Sequence, residues 1–398
     1  MDYFDKLADR VEELLLTGMS FADAAHDSLE EMPPGEYFSL EKAVQWIATT
    51  EALPMQQDLD AEFGDAALTV VTRDDFHVQL LSWADASTTI HEHSFSGAFT
   101  VVEGSSVHVT YDFEIEDRAT PYFVQGRLRH RSAELLRVGE VRRILPGSEF
   151  IHCVFHLERP SVSLVIRTTN FEVTRPVQLA YTPTLGIDLF RKDRETLRKQ
   201  QHLELYYDCY PEKATTLACA MLKTADACQS YALLETVLKK VETLAALRPL
   251  LGEVVTRHRA RASGFAESLQ SVVRSTNIIG RREILTAPDH RLLLALLLTA
   301  PDRQTLLQLT SAAHKDREPV SLLCQWLREL SAHPVPLEWG SNGLGIDLSE
   351  VSLRFLEAIL RGEEPQAAAL RTTSDSREQA ILELTLPRCS ILKPLFAT

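Results

Sequence analysis

The sequence predicts an α+β protein of three parts: a central antiparallel β-barrel between a helical N-terminal segment and an all-α C-terminal half. Three observations predict it. At 398 residues the chain exceeds one ordinary domain. Between about residues 66 and 185, short β-rich runs recur at nearly even spacing with turn residues between them, the pattern of a barrel or sandwich. On both sides of that region the apolar residues recur instead at helical spacing. The expected boundaries are 1–62, 63–188 and 189–398.

In the first part, Leu7, Val11, Leu14 and Leu15 make an apolar stripe with charges opposite. Met32-Pro33-Pro34-Gly35 breaks that helix, and residues 38–52 predict another. This segment reads as a packing appendage. In the second part, strands are expected at 68–72, 76–83, 97–102, 107–113, 134–138, 141–145, 151–157 and 162–168. In the third, Leu234, Val237, Leu238, Val241 and Leu244 share one face of a helix over 231–247. Thr286-Ala287-Pro288-Asp289 and Thr299-Ala300-Pro301-Asp302 each place Pro and Asp where a helix begins. Further helices are expected at 351–360 and 376–384, and the glycine-rich run Trp339 to Gly345 reads as a loop.

Composition narrows the function. A net charge of −15 lacks the positive field that engages phosphates, so neither nucleic acid nor an anionic membrane surface is an expected partner. The longest apolar run, about Leu292 to Leu298, is far below the roughly 20 residues of a membrane span. The first residues are acidic and carry no signal-peptide pattern, and the six scattered cysteines include no Cys-x-x-Cys pair. Reduced thiols in a cytoplasmic protein are the expectation.

The chemistry-bearing motif is Ile90-His91-Glu92-His93. In a strand, residues two apart point to one face, so both imidazoles can reach one ion. About sixty residues on, the turn Pro146-Gly147 leads into a strand carrying His152, which can return to the same site. Three imidazoles with no fourth protein ligand are what an open, catalytic metal site requires.

These residues carry a resemblance. The run Phe76 to Trp83 followed by Ile90-His91-Glu92-His93 is similar to the cupins, above all to the cysteine-dioxygenase type of thiol dioxygenase. Val101-Val102-Glu103-Gly104, Leu145-Pro146-Gly147, Ile151-His152 and Glu158-Arg159-Pro160-Ser161-Val162-Ser163 extend the match over roughly 66–170. The resemblance implies a jelly-roll barrel in which His91, His93 and His152 hold Fe(II), with O₂ and a small substrate as partners. Many cupins add a glutamate four or five residues after the second histidine. Gly97 and Ala98 stand there, in keeping with the three-histidine class. The chain departs from the thiol dioxygenases after Ser163, where Val165 and Arg167 replace their His and Tyr. Arg167, on the face of Ser163, is shaped to clamp a substrate carboxylate, and Ser163 is a second substrate-binding candidate. The family also places a carboxylate-binding arginine near Arg73. His156, four residues past His152, and Tyr111 are the catalytic candidates, as acid/base and as oxygen-orienting groups. Cys153 alternates to the opposite face and reads as core.

The expected function is a mononuclear non-haem iron dioxygenase or oxygenase acting on a small polar, carboxylate- or thiol-bearing molecule. Two other readings stand beside it. One is a metal-dependent isomerase or lyase using Zn, Mn or Ni without O₂, since imidazoles bind all these ions. The other is a non-catalytic ligand-sensing or scaffold protein. The helical C-terminal half would supply a lid, a homodimer contact or a docking surface for a protein partner.

Overall fold

A computed structural model describes residues 2–57, 59, 64–84, 87–169, 177–188, 190–191, 193–241, 244–336 and 342–397. Eleven strands are found among the described residues: β1 (Ala66–Thr72), β2 (Phe76–Trp83), β3 (Ile90–His93), β4 (Gly97–Glu103), β5 (Ser106–Thr120), β6 (Phe123–Leu136), β7 (Val141–Ile144), β8 (Gly147–His156), β9 (Ser161–Thr168), β10 (Leu179–Tyr181) and β11 (Leu185–Asp188). They form two sheets, a five-stranded one in the order β1-β2-β9-β4-β7 and a closed one in the order β10-β11-β6-β5-β8-β3, every pairing antiparallel. The predicted barrel is present, with helices before and after it.

Alternation sorts each strand between the space inside and a helical layer outside. On β2 and β9, Phe76, Val78, Leu80, Leu164 and Ile166 face outward. They pack on Phe4, Leu7 and Val11 of α1 (Asp2–Leu16) and on Ala24, Ala25 and Leu29 of α2 (Phe21–Glu31). The N-terminal segment thus covers one sheet, as its apolar stripe predicts. On β5 and β8, Val107, Val109, Ile151, Cys153 and Phe155 point outward too, into one apolar cluster with Leu293, Leu297, Leu323 and Phe355 of the C-terminal helices. The helical half is therefore fused to the outer face of the closed sheet by shared core.

The predicted strands omitted β10, β11 and most of β6. In β6 the reason is charge: Arg127, Arg129 and Arg131 interrupt any apolar run, yet they ladder with the facing strand. Arg129 meets Glu114 at 2.6 Å and Arg131 meets Asp112 at 3.8 Å, giving an exposed hairpin its cross-strand pairs. The helix after the first Ala-Pro-Asp begins with Pro288 at its first turn, as predicted. At the second, Asp302 itself caps Arg303–Ala313, its carboxylate accepting from the Thr305 amide, and Pro301 stands outside the helix. The helix predicted over 231–247 is found as Ala227–Val241 followed by a short turn, Leu244–Leu247. Of the glycine-rich run, Trp339 to Ser341 lie outside the described residues.

One helical carboxyl makes stability depend on pH. Burial on Ala227–Val241 pushes Glu235 from 4.5 up to about 7, against the opposing pull of Lys239 and the Tyr231 hydroxyl. The folded chain then keeps a proton that the unfolded chain gives up. Stability from this group is complete below about pH 4.5 and is lost as pH rises through about 7. Glu235→Gln is expected to raise Tm by a few degrees at pH 8 and by nothing at pH 4.5. Thermal melts at both pH values check this, and equal shifts would contradict it.

Candidate metal centre

β3 and β8 place the three histidines by register. His91 lies directly opposite His152, and His93 follows two residues on, opposite Gly147. Gly147 has φ +65°, a left-handed conformation that lets the Pro146 turn deliver β8 in this register. The ring centroids stand 4.7 Å apart for His91–His93, 4.8 Å for His91–His152 and 5.0 Å for His93–His152. One ligand nitrogen from each lies within 4.8 Å of the others, and all three residues are buried.

Their protonation suits a cation. Burial lowers the pKa of all three: His91 to about 4, His93 and His152 well below the ordinary value, with the neighbouring imidazoles adding to the effect on His93 and His152. They are neutral near pH 7. His91 donates from Nδ1 to the Thr89 carbonyl at 2.8 Å, which leaves Nε2 with its lone pair. His93 Nε2 and His152 Nε2 face each other at 3.0 Å. That separation is about the edge of a coordination polyhedron with metal–nitrogen bonds of roughly 2.1 Å at right angles. The donor set fits a late divalent metal ion.

A relay that the sequence reading did not single out stands behind His152. His108 Nε2 lies 3.0 Å from His152 Nδ1, and His108 Nδ1 lies 2.9 Å from the Glu134 carboxylate. Glu134 also takes a two-pronged bond from Arg142. Burial alone would raise the Glu134 carboxyl, but the bonds from Arg142 and His108 outweigh it and hold the group down at about 2. An ionised carboxylate accepts from His108 Nδ1–H. His108 Nε2 is then an acceptor for His152 Nδ1–H, and His152 Nε2 presents its lone pair to the shared space. His108 and Glu134 are directly paired across the β5–β6 hairpin, so only the register brings them together. Glu134→Gln is expected to weaken metal affinity about 10- to 100-fold, read by competition with a chelator. Unchanged affinity would show that the relay does not orient His152.

The three rings line a cavity of about 90 Å³ together with Gln79, Trp83, Ser106, His156, Ser163 and Arg167. Arg167 is the one charged side chain among the described lining residues. Its guanidinium lies 3.9 Å from the centre of the Phe95 ring, and its charge is among the causes that depress His93. The predicted inward placement of Ser163 and Arg167 is therefore found. The positions of the missing glutamate are explained as well. A Cβ on Gly97 would fall 2.1 Å from the Ile166 carbonyl oxygen, and Ala98 is fully buried in the outer cluster, so neither position can send a ligand inward.

His156 also lines the cavity, which puts it inside the barrel. Burial, reinforced by the charges of Arg282 and Arg291, depresses it to about 3. Its ring stacks on Trp83 with centroids 4.7 Å apart. Two other candidates lie elsewhere. Tyr111 shares the outward face of Val107 and Val109, and its hydroxyl sits 3.8 Å from Cys153 Sγ within the core joined to the helices. It does not line the cavity. Arg73 lies outside the cavity too, meeting Asp9 at 2.9 Å, Glu12 at 3.5 Å and Asp5 at 3.7 Å on α1. Its partner is the acidic face of a helix, and it holds the N-terminal segment on the sheet. A second cluster that could take a cation, His26, Asp27 and Glu30 on α2, is internally bonded, His26 with Asp27 at 2.9 Å, and its Glu30 is exposed.

No family model and no curated protein matches the sequence. Among solved structures, the chain is similar to hydroquinone 1,2-dioxygenase from Sphingomonas sp. TTNP3, at 11% identity over 27% of this chain and 67% of that one, with a TM-score of 0.21. It is similar to a cupin-2 domain containing protein from Shewanella frigidimarina, at 12% identity over 34% and 96%, with a TM-score of 0.20. It is also similar to the DMSP lyase DddQ from Ruegeria pomeroyi, at 13% identity over 46% and 98%, with a TM-score of 0.25.

Proposed function

We propose that this chain is a metal-dependent enzyme of the cupin kind, a mononuclear non-haem iron dioxygenase or oxygenase, acting on a small carboxylate- or thiol-bearing molecule. The observation that carries the reading is the convergence of three neutral imidazoles at a cavity whose described lining residues include one cationic side chain, Arg167. His91, His93 and His152 would hold the ion. An Fe(II) ion held there would supply Lewis acidity and reactivity toward O₂.

The protein's own residues do the rest. Arg167 offers a guanidinium to an anionic substrate group, and its stacking on Phe95 fixes the plane of that fork. Ser163, on the same strand face, adds a hydroxyl beside it. Apolar walls from Leu81, Phe95, Phe99, Ile144, Val154 and Val165 exclude water and strengthen the charge interaction. A space this small admits a small molecule, not a polymer.

Oxygen uptake by the iron-loaded protein, measured against small carboxylic acids, thiols and sulfinates, tests the reading. Uptake that needs both iron and one of these compounds is expected. Turnover with the zinc-loaded protein in the absence of O₂ would replace the oxygenase with the isomerase or lyase reading.

A further inference from the structure

We infer that the cavity holds a second polar subsite, formed by His156, Ser106 and Trp83, that recognises a neutral hydroxyl group at the end of the substrate remote from the histidine triad. This rests on the cavity being the substrate pocket, and it adds the class of molecule that fits: a short hydroxycarboxylic acid.

His152 and His156 are four residues apart on β8, about 13 Å along the strand, and both line the cavity. Arg167 stacks on Phe95 at the triad end. At the other end Ser106 lies directly opposite His156, Ser161 directly opposite Trp83, and the Trp83 ring stacks on the His156 ring at 26°. The cavity therefore has a cationic end and an uncharged polar end.

Hydrogen bonding fixes what the second end can bind. Ser161 donates from Oγ to the Glu103 carbonyl at 3.2 Å, so toward His156, 3.0 Å away, its oxygen accepts. His156 Nδ1 carries the proton, and Nε2 is an acceptor. His156 Nε2, Trp83 Nε1 and Ser106 Oγ are all buried, and none has a hydrogen-bond partner among the described residues. His156 is 3% exposed, Ser106 1% and Trp83 6%. An acceptor, an N–H donor and a hydroxyl carried by three residues that line one cavity suit a group that both gives and takes a hydrogen bond. Arg282 and Arg291, whose charges act on His156 from behind, oppose a cationic ligand there, which leaves an alcohol in preference to an ammonium. Buried polar groups left unmet cost free energy, so a ligand that satisfies them gains selectively over one that cannot.

Calorimetry on the zinc-loaded full chain, without O₂, tests this with ω-hydroxyalkanoates of four to six carbons against the parent alkanoates and the ω-methoxy ethers. One hydroxy acid is expected to bind about tenfold or more tightly than both of its relatives. In His156→Phe, which keeps the stacking on Trp83, the ratio is expected to fall to about one with the parent alkanoate bound as before. Ser106→Ala, which removes one hydroxyl and leaves the histidine, is expected to lower the ratio in part. Equal affinities in the wild type, no binding of any of these acids, or a ratio unchanged in both variants would overturn the inference. Failure of the oxygenase reading shows separately, as absent O₂ uptake by a protein that still prefers the hydroxy acid.

Discussion

Replacing His152 by alanine is expected to abolish metal retention. A four-ligand zinc site is worth about 10–16 kcal/mol, so one nitrogen carries on the order of 3–4 kcal/mol, or about 10²- to 10³-fold in affinity. The wild type should keep close to one iron per chain through dialysis against a mild chelator. His91→Ala, His93→Ala and His152→Ala should keep less than about a tenth of that. His26→Ala, at the second cluster, should keep it all. His152 is the most telling of the three because it joins both halves of the arrangement: Nε2 faces His93 at 3.0 Å and Nδ1 faces His108 at 3.0 Å. Elemental analysis of the purified variants checks this, and full occupancy in His152→Ala would remove that residue from the ligand set.

The second large effect is expected far from the triad in sequence. Arg282 is 1% exposed and Arg291 is fully buried, yet both come from the helical half and donate to the His156 carbonyl, at 2.8 and 3.3 Å. Arg282 also lies over the Phe155 ring, 4.2 Å from its centre. They tie the C-terminal helices to the end of β8 that carries the polar subsite. Arg282→Ala removes a long buried side chain and weakens the bonding of a buried carbonyl, for an expected loss of about 3–5 kcal/mol. Arg282→Lys should recover little, since an ammonium has neither the planar fork nor the same stacking on Phe155. Urea unfolding measures the loss. A change below about 1 kcal/mol would mean that the shared apolar core alone holds the two halves together.

The parts of the site that were legible in the sequence are those governed by alternation along one strand. His91 and His93 two apart, and Arg167 four past Ser163, need only the period of two. His152 needed the Pro146-Gly147 turn as well, and the structure seats it opposite His91. The same rule, applied strictly, places Tyr111 with Val107 and Val109 on the outer face. Arg73 was misplaced although its signal was present: Asp5, Asp9 and Glu12 recur along one face of α1 and make an acidic partner for a lone arginine.

The remaining features depend on pairing between distant residues. His108 meets Glu134 through hairpin register, and a charged hairpin gives no apolar pattern from which to read it. Arg282 and Arg291 look like the solvated side of helices, and nothing local marks them as buried against a strand carbonyl. His156 follows His152 by four residues, and β8 runs through to it, so the period of two carries both rings to the same cavity.

The central claim is that His91, His93 and His152 together hold one metal ion. Anomalous diffraction from crystals of the iron-loaded protein, collected on both sides of the iron edge, tests it most directly. A single strong peak is expected about 2.1 Å from one ring nitrogen of each of the three histidines. No peak between those rings, or one seated instead at His26, Asp27 and Glu30, would contradict it.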